Sequence, residues 1–135
     1  MAITSNSQDV NTHKWDHRIV IVISKTKESK AFKNQVRAFK KSLKDFIERK
    51  LIVYYVLPKH YKLVDYKKDD LDYDWIASSK LFETYAENGT DYKVILIGLD
   101  GSIKLQQDQL ITASKLFETI DTMPMRKSEL RNRDN

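Results

Sequence analysis

The sequence predicts an α/β fold in which one mixed sheet is flanked by helices, and three observations carry that expectation. Two apolar runs, Ile19–Ile23 and Leu51–Leu57, are continuous rather than alternating. Such runs mark strands covered on both faces. Between them lies a segment with apolar residues every three or four positions, so the three together make a right-handed βαβ unit with parallel strands. Farther on, Asp100–Gly101 separates two more strand-like runs and sets up an antiparallel hairpin.

Each element has its own local reason. Residues 1 to 17 are polar and are expected to be a flexible leader that closes against the sheet through Trp15; they hold no apolar core of a secretory signal. Ile19–Ile23 is the first strand. The polar stretch Ser24 to Ser29 follows, and Thr26 or Ser29 is placed to cap the next helix by accepting from the free N–H groups of its first turn. In that long helix Phe32, Val36, Phe39, Leu43, Phe46 and Ile47 share one side, and Lys33, Arg37, Lys40, Lys41 and Lys44 share the other. Leu51–Leu57 is the second strand, stopped by Pro58, and residues 59 to 77 are expected to form an irregular loop, first basic and then acidic. Ser78 or Ser79 caps a short helix with Leu81, Phe82 and Tyr85, ended by Asn88–Gly89. Tyr92–Ile97 is the third strand. Asp100–Gly101 is expected to make a two-residue turn, since both positions tolerate positive φ. Ser102 to Gln106 alternates, with Ile103 and Leu105 inward and Lys104 outward, as an edge strand does.

Thr112 caps the last helix, whose inner face is Ala113, Leu116, Phe117 and Ile120. Pro124 ends it or starts a further turn through Leu130, and residues 131 to 135 are expected to fray. The order is β-α-β-α-β-β-α on a central mixed four-stranded sheet, in one domain from 18 to 130. The hexapeptide SKLFET occurs at 79–84 and again at 114–119 in unmatched surroundings. It reads as two helices meeting one amphipathic demand rather than as a repeat array.

Composition narrows the chemistry. A chain of 135 residues, 41% hydrophobic, builds one core. It has no cysteine, hence no disulfide, thiolate nucleophile, thiolate metal site or thiol redox couple. The longest apolar run has seven residues, far short of the ~20 that span a bilayer. Net charge is +5 and unevenly placed. From Lys25 to Lys50 ten Lys or Arg face Glu28, Asp45 and Glu48; from Asp65 to Asp74 five Asp face Lys67 and Lys68. Such a dipolar surface suits protein or polyanion contacts, and equally a solvated helix beside an acidic loop.

A parallel βαβ half joined by a helix to an antiparallel ββα half is the thioredoxin-like, or peroxiredoxin-like, arrangement. The end of the chain resembles a specific family of that fold. The matching residues are Gly98, Asp100–Gly101, Lys104, Leu116–Phe117, Ile120–Asp121 and Met123–Pro124–Met125–Arg126, with a second block at IERKLIVYYV, residues 47 to 56. They resemble the thioredoxin-like domain of unknown function found in small bacterial proteins, in the vertebrate matrix protein called down-regulated by oncogenes, and in sushi-repeat-containing proteins. The resemblance implies a thioredoxin-like fold, frequent secretion or a periplasmic location, and no established catalytic activity. It also suggests adhesion or matrix association. A cytoplasmic location remains open at this point.

In thioredoxin-like enzymes the reactive thiol sits where the first strand meets the first helix, whose N-terminus stabilises thiolate. Here that place holds Ser24, Lys25, Thr26, Lys27, Glu28, Ser29 and Lys30. Thr26-x-x-Ser29 resembles the Thr-x-x-Cys of peroxiredoxins with serine for cysteine. A serine hydroxyl is barely ionised near neutrality and is not reversibly oxidised by peroxide. The cis-proline position before the third strand is Asp91. Either the hydroxyls cap the helix, or Lys25, Thr26, Ser29 and Lys30 form an anion pocket or a site for non-thiol chemistry.

Elsewhere, Asp70, Asp72 and Asp74 have the alternate spacing of a calcium loop, but Trp75 stands at its turn glycine and Leu81 at its final ligand. His13, His17 and His60 are read as surface residues, so no metal site or cofactor is expected. The basic helix face lacks interleaved aromatics and is read as solvated rather than nucleic-acid-binding. Asn88-Gly-Thr90 fits a glycosylation sequon, of consequence only in a eukaryotic secreted chain. The methionines of Met123–Arg126 are read as closing the sheet bottom, with Arg126 paired to an acid; the alternative is a docking surface. The leading functional expectation is a redox-inactive domain, not an enzyme, that binds a protein or matrix partner through Lys33, Arg37 and Lys40 or through the 59–77 segment. The alternative is small-anion binding or a non-thiol reaction at the Ser24–Lys30 corner.

Overall fold

The computed structural model of the chain describes residues 10–67, 74–87 and 89–134. Six strands form one sheet: β1 (Arg18–Ser24), β2 (Leu51–Val56), β3 (His60–Val64), β4 (Ile76–Ala77), β5 (Tyr92–Ile97) and β6 (Ile103–Gln107). Their order is β4-β3-β2-β1-β5-β6. β1 pairs parallel with β2, and every other pairing is antiparallel. The helices are α1 (Lys30–Lys40), α2 (Leu43–Glu48), α3 (Lys80–Tyr85), α4 (Ala113–Asp121) and α5 (Pro124–Asp134).

The central strands divide their side chains by the two-residue period of a pleated strand. Val20 and Val22 of β1, Val53 and Tyr55 of β2, and Val94 and Leu96 of β5 face one layer with Phe32, Phe39, Phe46, Leu116 and Ile120. Ile19, Ile21, Ile23, Ile52, Tyr54, Val56, Ile95 and Ile97 face the other layer with Val10 and Leu81. Helices α1, α2 and α4 therefore cover one face, and α3 with a 3-10 turn at Val10–His13 covers the other.

The expected thioredoxin-like architecture is present, with four departures. The sheet has six strands, not four. Residues 59–77 contribute β3 and β4, because Pro58 sits in a tight turn whose Leu57 N–H donates to the His60 carbonyl (2.8 Å). The chain then returns along β2 and buries Tyr61 and Val64. The long helix is two helices: the backbone leaves helical geometry at Ser42. Phe46 stays against Phe39, ring centroids 4.9 Å apart, while Ile47 turns to solvent. The segment expected as a leader is structured from Val10, and the Trp15 N–H, not its exposed ring, contacts the sheet end through the Leu99 carbonyl (2.6 Å). At the other end α5 continues to Asp134, into the segment expected to fray.

The hairpin lies at Asp100–Gly101 as expected, but its loop is Leu99–Asp100–Gly101 and only Gly101 has positive φ (+83°). Asp100 acts through its side chain, accepting from the Ser102 N–H (3.0 Å) and hydroxyl (2.7 Å). Those two bonds, followed by one from Lys104, hold its carboxyl near pKa 2. The caps at Ser29 and Thr112 form as expected: Ser29 accepts from the Phe32 N–H and Thr112 from the Lys115 N–H, each at 3.1 Å.

Phe39→Ala removes a fully buried ring from the centre of the helix-covered layer. The expected loss in urea denaturation is about 3–5 kcal/mol. Trp15→Phe, at an exposed ring, is expected to stay within about 0.5 kcal/mol of the parent.

Candidate functional site

The corner between β1 and α1 is closed on itself. Ser24 is buried, and its hydroxyl donates to the Thr26 carbonyl (2.6 Å) and lies 3.4 Å from the Ser29 hydroxyl. Thr26 accepts from the Glu28 N–H (3.1 Å), and Ser29 caps α1. Lys25 reaches across to Asp91 (3.0 Å), at the position where the fold's redox members carry proline, and its N–H donates to the Asp91 carbonyl (3.1 Å). Each hydroxyl here is engaged by backbone, as capping residues are.

Beneath the corner, Gln35 is fully buried on α1 and links three elements. Its amide carbonyl accepts from the Tyr92 hydroxyl (2.7 Å) and the Ile111 N–H (2.9 Å), while its amide nitrogen donates to the Ile111 carbonyl (2.8 Å). Burial pushes the Tyr92 phenol above its ordinary pKa, so at neutral pH it is the donor in that bond. The helix that carries the candidate surface is thereby fixed to β5 and to the entry of α4.

Lys30, Lys33, Arg37 and Lys40 all lie exposed on α1. Lys33 pairs with Glu28 (3.4 Å) and Arg37 donates to Asn34 (3.1 Å). Between α1 and the β2–β3 hairpin lies an apolar cavity of about 410 Å³ lined by Phe32, Tyr55, Tyr66 and Trp75, with Lys40 and Lys62 among its walls. Lys62 Nζ stands 4.8 Å over the Trp75 ring. A larger cleft, about 620 Å³ and polar, is bordered by Asp91, Lys93, Gln106 and Asp108.

Arg126 is not part of this surface. It sits at the Arg18 end of β1, ~20 Å from the Ser24 corner along the seven residues of that strand, with its side chain 4% exposed. It donates to Asp121 (3.1 Å), to Glu48 (3.1 Å) and to Glu129 (3.3 Å). The expected pairing of Arg126 with an acid is thus present, but as a binding residue it is corrected: its guanidinium is enclosed by this chain's own carboxylates. Arg49 adds a two-point contact to Asp121 (3.0 and 2.8 Å) and stacks on Phe117 (4.4 Å). Arg18, also buried, donates to Glu129 and to the Arg49 carbonyl. Burial pulls the Asp121 carboxyl up, but hydrogen bonds from Arg49 and then Arg126 outweigh it and hold its pKa below the ordinary value. Gly98 belongs to the same pole: a Cβ there would stand 2.7 Å from Lys104 Cε, across which Lys104 reaches Asp100 (3.1 Å).

Sequence reasoning missed Arg18, Arg49 and Glu129 at that pole and Tyr55, Lys62, Tyr66 and Trp75 at the cavity. An arginine opening a fully buried strand was the available signal for the first. The alternation within HYKLV was the signal for the second. His13 and His17 are half-buried rather than surface residues: their rings meet edge-on at 5.4 Å, and His13 is hydrogen-bonded to the Tyr54 hydroxyl (2.9 Å). Asp70 and Asp72 of the calcium-like spacing, and Asn88 of the sequon, lie outside the described residues. Among the described residues no group of three or more His, Asp or Glu could hold a metal ion, and no helix is long and apolar enough to cross a membrane.

A parallel βαβ half, an antiparallel ββα half and a hydroxyl-lined first corner define a thioredoxin-like domain without the thiol. The chain belongs to the family described as domain of unknown function DUF4174, which matches residues 9–129. Its fold is similar to that of the reduced 2-Cys peroxiredoxin of Plasmodium vivax, with a TM-score of 0.60 over 88% of this chain and 84% of that one, at 10% identity. That likeness concerns the fold alone. No curated protein matches the chain.

Asp121→Asn is expected to cost on the order of 1–2 kcal/mol at pH 7, toward the low end for a broken charge network because the carboxylate is 37% exposed. The pH dependence has a definite sign. A carboxyl whose folded pKa is depressed stabilises fully above its unfolded value of about 4 and loses that contribution as pH falls toward the folded value. The gap between the urea midpoints of parent and Asp121→Asn should therefore be constant at and above about pH 6 and begin to narrow as pH falls through about 4.

Proposed function

We propose that this domain is a redox-inactive binding module that presents the outward face of α1 to an acidic protein or matrix partner. The observation that carries the reading is the contrast within one helix. At its start the hydroxyls that replace the thiol position are engaged in capping. Along its length Lys30, Lys33, Arg37 and Lys40 stand in water on a helix anchored from below by Gln35. A rigid array of cations steers and orients an anionic surface, and salt weakens it. The resemblance to domains of matrix proteins supports the same reading.

The alternative, an anion or a non-thiol reaction at the Ser24–Lys30 corner, has less support. Lys25 is paired with Asp91, and Ser29 is occupied by the Phe32 N–H. With no cysteine in the chain, no peroxide turnover is expected.

Heparin-agarose supplies a polyanionic probe. The parent is expected to be retained, and Lys33→Glu/Arg37→Glu/Lys40→Glu/Lys44→Glu to elute at markedly lower salt. The matched reversal Lys14→Glu/Lys50→Glu/Lys80→Glu/Lys127→Glu should elute near the parent. Equal losses in both variants would show that total charge, not this face, governs retention, and would remove α1 as the contact.

A further inference from the structure

The cavity beside α1 has the properties of a small-molecule site. Its volume of about 410 Å³ falls in the range of roughly 300–1,000 Å³ typical of such sites, which are apolar with a few placed polar groups. Its walls are preformed. Phe32 and Tyr55 are both buried and meet edge-on at 5.6 Å, and Phe32 lies 6.3 Å from Trp75. The Phe32 backbone is itself fixed by the Ser29 cap. Two cations complete the lining: Lys40 from the exposed side of α1, and Lys62 from β3, held over Trp75. A second groove, lined by Lys27, Lys33 and Arg37 together with Glu28, continues from Phe32 and Trp75 along the outside of α1.

We propose that this cavity binds a small amphipathic anion, an alkyl or aryl carboxylate or sulfonate. The apolar body would lie among Phe32, Tyr66 and Trp75, and the anionic head would meet Lys40 and Lys62. Burial, followed by the neighbouring Tyr66, pushes the Tyr55 phenol well above its ordinary pKa. A phenol is neutral at physiological pH in any case, so Tyr55 does not repel an anion. Aromatic walls with two cations in the lining also discriminate against an uncharged amphiphile of the same length, which gains the apolar contact without the ion pair.

This site shares Lys40 with the heparin-binding face, and one variant separates the two. Val36 lines the cavity, and Val36→Phe shrinks it without changing charge, so heparin retention should stay at the parent value. The probe is 8-anilinonaphthalene-1-sulfonate, with Trp75 as reporter in a Trp15→Phe background, since the chain has two tryptophans. The expected result is saturable 1:1 binding in the micromolar range with quenching of Trp75. Dodecanoate should displace the dye, and dodecanol should compete at least tenfold more weakly. Val36→Phe and Lys40→Glu/Lys62→Glu should each weaken dye binding at least tenfold. If Val36→Phe fails to fold by circular dichroism, the double lysine variant decides, because neither lysine is buried. Non-saturable binding, a stoichiometry well above one, equal competition by dodecanol, or unchanged affinity in the folded variants would each overturn the proposal.

Discussion

The constraint on which the rest of the molecule depends is the complete enclosure of β1. All seven of its residues are buried, β2 and β5 occupy both its edges, and layers of side chains cover both its faces. A strand in that position can show water nothing but its two ends. At one end stands Arg18, at the other Ser24, and both are polar and buried. A buried guanidinium is costly unless acceptors surround it. Two of its nitrogens are met, by Glu129 of α5 and by the Arg49 carbonyl at the end of α2, while Nε has no partner among the described residues. The position of the C-terminal helix is thus tied to the electrostatic demand of a residue more than a hundred positions earlier in the chain.

The other end of β1 shows the same frame without a thiol. A helix N-terminus placed after a buried strand stabilises negative charge, and a thiol there becomes a thiolate. A hydroxyl in the same field does not ionise near pH 7, but it is well suited to satisfying the first N–H groups of the helix. Ser29 and Thr26 do so, and Ser24 closes the loop from below. The features that tune a nucleophile in a thiol enzyme here hold α1 in a fixed orientation. Gln35 finishes the job two turns on by linking the helix to Tyr92 and Ile111.

Much of this was legible in the residues because it is local. The β-branched runs of β1 and β2, the caps at Ser29 and Thr112 and the hairpin at Gly101 follow from spacing and side-chain geometry within a few positions. Two parts were not legible, for different physical reasons. The ion network joins Arg49 to Asp121 and Arg18 to Glu129, partners 72 and 111 positions apart. No periodicity reports such a pairing; only the oddity of an arginine at the head of a buried run hints that an acid must come to meet it. The strands β3 and β4 were hidden by charge. Lys59, His60 and Lys62 make the segment read as solvated, yet Tyr61 is buried on one face of the sheet and Val64 on the other, while Lys62 keeps partial access to water. Pro58 was read as a stop and is a turn.

That second omission matters most for function, because β3 builds the far wall of the cavity beside α1. An enclosed dry void would cost roughly 24 cal/mol per Å³, and at about 410 Å³ a small domain would collapse around it. The walls of this one are held from elsewhere. Phe32 is held by the Ser29 cap, Tyr55 by the centre of the sheet, and Trp75 by Lys62 across its face. One helix therefore has three separate surfaces. Its inner side, through Phe39 and Gln35, belongs to the core; its outer side carries exposed cations; its edge, at Phe32 and Val36, leaves a gap that the described side chains do not fill. A rigid apolar gap beside fixed positive charge is a binding geometry in its own right. One of its walls, Phe32, is the residue whose N–H the corner hydroxyl of Ser29 caps.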